Sequence, residues 1–512
     1  MAKIGIDFGT TNSLMVAYDK DKHKFQFFNY KHKQPIPTSS TIWYHDNNII
    51  VGNEAREKIH KLSNIEGNHF EKSIKLHLGK NYNSNIFGKS IPAYKIAGEI
   101  IKHLKKVAID DYRAIVGHVD LNTAVFTVPI NYSGQARQDL RKSANEAGIE
   151  VTTFIHEPFA AIVGYYFSKE QNSYNAVIES LNTLDGNYFL IFDWGGGTLD
   201  ITVVHIKNGK MYEIGTSELT NVAGDKFDED IALLVWNRFL DTNGSKYSDE
   251  YLEKIRRLKW DKLIAVAEQC KIQLSTNEQT EFIIDYITPS ERIDEIITRY
   301  DFEFILQNSL DAAINRIDAA LKESGINDID ISQVLLTGGT CYIPAVQKRM
   351  RDKFGHRVKT VKDADLLIAQ GAAVISEMGW LPYLTKDVLI QLSDDSYWPL
   401  FEHEMPIASG CEATRSETFV CVDQRNKTAK VIICEGIGQK SDKNLGIINV
   451  PILGHNLFGD DIQIDSTLDK DIVLNVSAYS KMVHGPKQPI EEYSIRKSVK
   501  IHQLCFGLDY KE

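Results

Sequence analysis

The chain has 512 residues, 43% hydrophobic and 25% charged, with 33 Gly and 13 Pro; that length points to two to four domains, and that composition excludes collagen-like and largely disordered chains. A formal net charge of −11 argues against the phosphate backbone of a nucleic acid as main partner, since such binding needs clustered Lys and Arg. Six cysteines, at 270, 341, 411, 421, 434 and 505, are scattered with no C-x-x-C pair, so no zinc site or disulfide framework is signalled, and reduced thiols of a cytoplasmic protein are the reading.

At the N-terminus Asp7 stands where a signal peptide carries its apolar stretch, and no run of 18 apolar residues follows anywhere, so the chain reads as unexported and without a membrane span. Ile4 to Ser13 (IGIDFGTTNS) followed by Leu14-Met15-Val16-Ala17 reads as strand, glycine turn, strand. Gly88-Lys89-Ser90 supplies the end of a P-loop, but Asn83 stands where its first glycine belongs, so the match fails. A strand over Thr123 to Val128 and a helix over Ser133 to Ala147 follow. Phe189 to Val204 (FLIFDWGGGTLDITVV) then repeats the opening pattern, which suggests two similarly built lobes. A helix over Asp261 to Ser275 carries an apolar stripe, with Glu268, Lys271 and Ser275 on another face that pattern alone reads as solvated. Val334 to Thr337 is a short strand, Gly338-Gly339-Thr340 a tight turn, and Ile343 to Met350 a helix. After about residue 380 the texture turns β-rich: Thr418 to Val422, Lys430 to Cys434, Leu445 to Val450, Ile462 to Asp465, Ile472 to Ala478 and Ser494 to His502.

Glycine turns let backbone N–H groups approach phosphate oxygens, and neighbouring threonines add donors. Asp7 with Gly9, Thr10 and Thr11, facing Asp193 with Gly195, Gly196, Gly197, Thr198 and Asp200, would make a two-sided phosphate clamp, the carboxylates holding a magnesium ion through its waters. Either turn alone would pass as an ordinary hairpin with a capping aspartate. No H-E-x-x-H or G-x-S-x-G is present, so the metalloprotease and hydrolase readings lack their signatures.

IGIDFGTTNS, FDWGGGTLD and LLTGGTCYIP together resemble the heat shock protein 70 (DnaK-type) chaperone family, members of the actin-like ATPase superfamily, and the similarity runs over nearly the whole chain. Glu157 falls at the glutamate of the family's N-E-P-T-A-A motif, with His156 in place of the Asn; Ile74-Lys75 resembles its catalytic-lysine segment and Ala223 to Asp228 (AGDKFD) its G-G-E-D-F-D. The resemblance implies an α/β two-lobed actin-like ATPase domain followed by a β-sandwich peptide-binding domain. It further implies that Thr10, Thr11 and Asn12 contact phosphates, that Asp7 and Asp193 lie near Mg2+, and that Lys75, Glu157 and Thr198 place the attacking water. Gly338, Gly339 and Asp365 would hold the nucleoside side, Gly224, Asp225, Glu268, Lys271, Ser275, Thr340 and Tyr342 would be further cofactor-binding residues, and Val431 would hold a bound peptide.

The expected organisation is a nucleotide-binding domain over 1–380 with its second lobe from near 184, a linker over 381–392, a β-sandwich over 393–505 and a tail over 506–512. Where the family sandwiches adenine between two arginines, this chain has Ile272 and Tyr342; in the linker Gln391 replaces an apolar residue that docks between the ATPase lobes; and the sequence stops before the family's helical lid. The functional expectation is an ATP-dependent molecular chaperone of shortened DnaK type, a slow ATPase using ATP/ADP, Mg2+ and K+ as a further candidate ion. Its partners would be unfolded or extended polypeptide, a J-domain co-chaperone and a nucleotide-exchange factor, in protein folding and the stress response. The alternative is a non-cycling nucleotide-binding regulator or scaffold of the same fold. A sugar or acetate kinase is weaker, because the β-rich part has no role in it.

Overall fold

Ile4, Ile6 and Phe8 are buried at alternate positions of strand Ala2–Phe8, the period that a covered sheet face requires. The strand turns back antiparallel onto Asn12–Asp19, which pairs with Lys24–Phe27, and on its other side runs parallel to Val119–Val128. The structure is a computed structural model that describes residues 2–31, 34–46, 48–62, 65–112, 119–169, 174–361, 363–407, 412–421, 427–438, 440–453, 460–484 and 490–510. Cys411, the expected strand end at Val422 and the last two residues of the expected tail lie outside the described residues.

The chain divides into two compact units, one of residues 1–130, 139–151 and 155–378, the other of 131–138, 152–154 and 379–512. In the first unit a second sheet repeats the opening plan. Strand Tyr188–Trp194 turns back onto Thr198–Lys207, which pairs with Lys210–Thr220, while its other side runs parallel to Ile331–Thr337. Leu190, Phe192 and Trp194 pack with Phe227 and Ile231 of helix Gly224–Asn243, Leu263 and Ala267 of Asp249–Leu274, and Phe302 and Leu306 of Arg299–Ser324. Each such side chain contributes roughly 1.5–3 kcal/mol on full burial. The last helix starts in a capping box, the Thr298 hydroxyl accepting from Asp301 N (3.1 Å) while the Asp301 carboxylate accepts from Thr298 N (2.9 Å), and it stops at Gly325 with φ 70°. Helix Glu157–Lys169 crosses helix Leu367–Met378 closely, because Gly371 leaves room for the backbone of Ala160.

In the second unit strand Asp387–Gln391 lies between Tyr397–Phe401 and Thr428–Ile437, and Lys440–Pro451 completes an antiparallel sheet. Ala413–Cys421, Asp460–Leu468 and Leu474–His484 form another, with Ile490–Tyr493 and Lys497–Ile501 both paired to the last. Val388, Ile390 and Ile433 of one sheet and Ile462, Ile464 and Val476 of the other share one core.

Two boundaries expected from sequence are corrected. The linker over 381–392 is instead two strands, Leu381–Leu384 and Asp387–Gln391: Val388, Leu389 and Ile390 are buried and the second strand is paired on both edges, which a solvated linker would forgo. Gln391, expected to disturb docking between lobes, ends that strand and donates Nε2–H to Asp395 Oδ1 at 3.0 Å. The tail is also a strand, Phe506–Asp509, paired with Leu381–Leu384 and burying Phe506 and Leu508.

Candidate active site

Each hairpin of the first unit delivers an aspartate at the end of its first strand and a glycine turn directly after it. The carbonyl of the first turn glycine is occupied in both, Gly9 O by the Ser40 hydroxyl (2.9 Å) and Gly195 O by the Thr340 hydroxyl (2.8 Å). The two turns face each other: a Cβ on Gly197 would lie 3.2 Å from Thr10 Cγ2, and one on Gly196 would collide with Thr11 Oγ1. Gly338 has φ 82°, and a Cβ there would meet Trp194 O at 2.5 Å, so only glycine lets this third turn close against the second. Helix Gly224–Asn243 begins on the same turn, Gly224 N donating to Gly195 O (3.1 Å) and Asp225 N to Gly196 O (2.8 Å).

At the turns, Glu157, Asp7 and Asp200 are the charged neighbours of Lys75. The Lys75 ammonium is 2.7 Å from Glu157 Oε1, both residues being buried. Burial works against the lysine's charge, yet Glu157, Asp7 and Asp200 together raise its pKa. Burial and then the Glu157 charge push Asp7 up to about 6, with Lys75 and the Thr127 hydroxyl, 3.1 Å away, acting in the other direction. Asp200 is also pushed up to about 6, by burial and Glu157, although the Thr198 hydroxyl donates to it at 2.8 Å. Asp193 is driven well above the usual carboxylate range by burial and by Glu157, Asp200 and Asp7. One lysine thus offsets three carboxylates, with Asp193 a fourth beside them, and the surplus negative charge suits a cation.

Among the described residues no three His, Cys, Asp or Glu side chains converge as a direct metal shell. A Mg2+ here would therefore keep several of its waters, as it commonly does. Thr11 Oγ1 is buried without a hydrogen-bond partner at the turn facing Gly196, a donor available to a phosphate oxygen. The residues present fit both groups.

The remaining sequence candidates gather around this centre with unequal roles. Lys271 donates to Gly224 O (2.9 Å) and to Asp228 (2.8 Å), a carboxylate that burial pushes up to about 6. Glu268 pairs with Arg56, whose Nη1–H also reaches Asn12 Oδ1 at 3.3 Å. The Tyr342 hydroxyl donates to Asp365 Oδ1 (2.9 Å) and accepts from Ala364 N (2.9 Å). Gly339 borders open space. Ser275 caps its own helix, its hydroxyl donating to Lys271 O at 3.3 Å. Ile272 is 61% exposed. Val431 does not join the centre: it is buried in the shared core of the second unit, opposite Ile448. From Thr428 to Ile433 the strand alternates, with Val431 and Ile433 on the covered face, and Ile433 to Gly436 are all buried.

Sequence reasoning missed Arg56, Thr127, Thr337 and Asp228 as site residues. Asp228 stood inside the AGDKFD motif, and Thr127 and Thr337 end apolar strands, so each had a local signal. Arg56 had none, since its partner Glu268 is 212 residues away. A protein-family model described as Hsp70 protein matches residues 3–498.

Proposed function

The chain belongs to the Hsp70 family, ATP-dependent chaperones that are generally ATPases and bind ATP or ADP with Mg2+, and from that premise we propose that this protein hydrolyses ATP slowly between its paired glycine turns and couples that cycle to the hold of its second unit on extended peptide. The observation that carries the reading is the meeting of the two turns around a buried Lys75–Glu157 pair, with Thr11 Oγ1 left for a ligand. Thr10, Thr11 and Asn12 on one side and Gly195 to Thr198 on the other hold the phosphates. Lys75 places the attacking water, and Glu157 and Thr198 fix its orientation, so the rate comes from positioning and electrostatics, as is usual in phosphoryl transfer. Mg2+, when bound, neutralises charge on the phosphate oxygens, and Asp7 and Asp193 are the residues that would hold it.

For the second unit the support is an aromatic pair, the exposed Trp398 and the half-buried Phe419 at 6.0 Å, on two strands that each end their sheet's order. Apolar side chains and free strand edges are what extended peptides use. Unfolded polypeptide, a J-domain co-chaperone and a nucleotide-exchange factor are the partners of this reading, and the cytoplasm its compartment. Among the described residues no helix is long and apolar enough to cross a membrane.

The second reading, a non-cycling nucleotide-binding regulator, is favoured by the base side, where Ile272 is exposed and the Tyr342 hydroxyl is committed to Asp365. Calorimetric titration with Mg-ATP and Mg-ADP, followed by single-turnover hydrolysis, separates the two. Binding with turnover is expected. Binding without turnover moves the protein to the regulator, and absence of binding removes both.

A further inference from the structure

Lys75 sits on a single 3-10 turn, Ile74–His77, entered through Ser73 with φ 58°, in the left-handed region that non-glycine residues avoid. A turn this short does not hold itself; its place must be set by what packs at its ends. After the turn, Gly79 N donates to Asp139 Oδ2 at 2.9 Å. Ile74 of the turn is buried and helix Ala93–Tyr112 packs on the turn as well, and a further fastening is a polar cluster that the catalytic reading leaves unused.

Glu71 ends strand Asn68–Glu71, two residues before Ser73, and is buried. Its carboxylate receives the hydroxyl of Ser84, two residues beyond Tyr82, and lies 2.8 Å from His69 Nε2. The ring of Tyr82 stacks on His77 at 3.8 Å and 18° between planes, and His77 is the last residue of the lysine's own turn. Glu71 therefore holds Ser84 and with it the chain two residues beyond Tyr82, Tyr82 stacks on His77, and His77 closes the turn whose second residue is Lys75. The Ser84–His69–Glu71 set is no nucleophilic relay, because Ser84 and Glu71 meet the same ring nitrogen, whereas a triad needs the carboxylate on the other one.

Resting on the ATPase reading above, we infer that Glu71, Tyr82 and His77 are positioning residues for hydrolysis: they fix the Lys75 ammonium against Glu157 without touching nucleotide. Misplacement by about 1 Å is enough to cost up to about a hundredfold in rate.

The test uses the full chain with His77→Ala, Tyr82→Ala and His77→Phe, the last keeping a ring to stack. His77 and Tyr82 are only partly buried, so the folded state should survive these changes. Two readouts are taken: single-turnover hydrolysis beside ATP affinity, and, on nucleotide-free protein, acylation of Lys75 by acetic anhydride followed by mass spectrometry. Both alanine variants should hydrolyse about ten- to a hundredfold more slowly with affinity within about twofold, and His77→Phe should recover the rate to within about threefold. Lys75 should acylate about tenfold faster in the alanine variants and near the parent rate in His77→Phe, because a loosened turn exposes the amine. Unchanged acylation, unchanged hydrolysis, or loss of rate and affinity in parallel each overturns the inference. A parent protein that binds but does not hydrolyse removes the ATPase reading instead, and acylation alone then decides whether the cluster fixes Lys75.

Discussion

In the first hairpin Thr127 stands in register beside Asp7 on the adjacent parallel strand, and in the second Thr337 stands in register beside Asp193. The first turn glycine has its carbonyl taken by a distant hydroxyl in each case, Ser40 on one side and Thr340 on the other. The two halves part company in charge. Asp7 has Lys75 to offset it and is raised to about 6, whereas the charges that chiefly act on Asp193 are those of Glu157, Asp200 and Asp7, all negative, and it rises further. One scaffold used twice thus makes an uneven site: Lys75 offsets Asp7 and Asp200, whereas the charges that chiefly act on Asp193 are negative.

The change that should break this polarity most severely is Lys75→Ala, which removes the cation at the centre. Single-turnover hydrolysis should fall by at least about a hundredfold while nucleotide affinity stays within a few-fold, because the role proposed for the lysine is on the water rather than on the ground-state complex. Thr198→Ala, which takes the hydroxyl from Asp200, should cost about ten- to a hundredfold in the same assay with affinity again retained. Equal loss of affinity and rate in either variant would contradict the assigned roles.

Stability sharpens the same asymmetry. A carboxyl whose pKa is higher folded than unfolded binds more protons in the folded state through the interval between the two values. Stability therefore falls as pH rises through about 4 to 6 for such a group, and the full cost applies above that interval. Asp7→Asn should stabilise the nucleotide-free, metal-free protein by about 1–3 kcal/mol at pH 7.5, with the gain fading toward pH 4. Asp193→Asn should gain in the same direction, since burial and like charges raise its carboxyl too. Urea unfolding at pH 7.5, 6 and 5 checks both; no gain, or for Asp7→Asn a gain independent of pH, would remove the electrostatic explanation.

A smaller effect is expected where the halves are latched. Arg56 joins helix Asn53–Leu62 and the first turn, through Asn12, to Glu268 of helix Asp249–Leu274. The pair is partly exposed, so Arg56→Ala should speed release of a fluorescent ADP only about three- to tenfold, and less at high salt. Release unchanged at low salt would leave Arg56 with no part in closure.

What was legible in the sequence follows from how local each signal is. The hairpins, their aspartates and their threonine-bearing turns could be read because glycine turns between apolar strands are short-range patterns. Lys75 came only from the family resemblance, for a lysine before a turn looks like any surface lysine until Glu157, 82 residues away, is brought to it. Alternation along Thr428–Ile437 said that Val431 shares a face with Ile433, and could not say that the other sheet covers that face. Val388 to Ile390 misled for a related reason: an apolar run of that length serves equally as a docking linker or a central strand, and only its partners on both edges decide.

The correspondence between the halves ends just past the two threonines, and there the smallest effect is expected. Thr127 leads into Val128 and Pro129, whereas Thr337 leads through Gly338 and Gly339 to Tyr342, on the proposed base side. Asp365 is raised by burial, and the Tyr342 hydroxyl is its largest relief. Tyr342→Phe keeps the ring but removes the donor to Asp365 and the acceptor for Ala364 N, each such bond contributing about 0.5–1.5 kcal/mol net. If the ring packs on the base, ATP affinity should drop only about threefold at pH 8, against about 1–3 kcal/mol for Tyr342→Ala, which loses the stacking face as well. Without the phenol, Asp365 loses its largest relief and should be raised further. Equal affinities of parent, Tyr342→Phe and Tyr342→Ala would put the base elsewhere, and a fluorescent ATP analogue titrated into the three proteins is sufficient to tell.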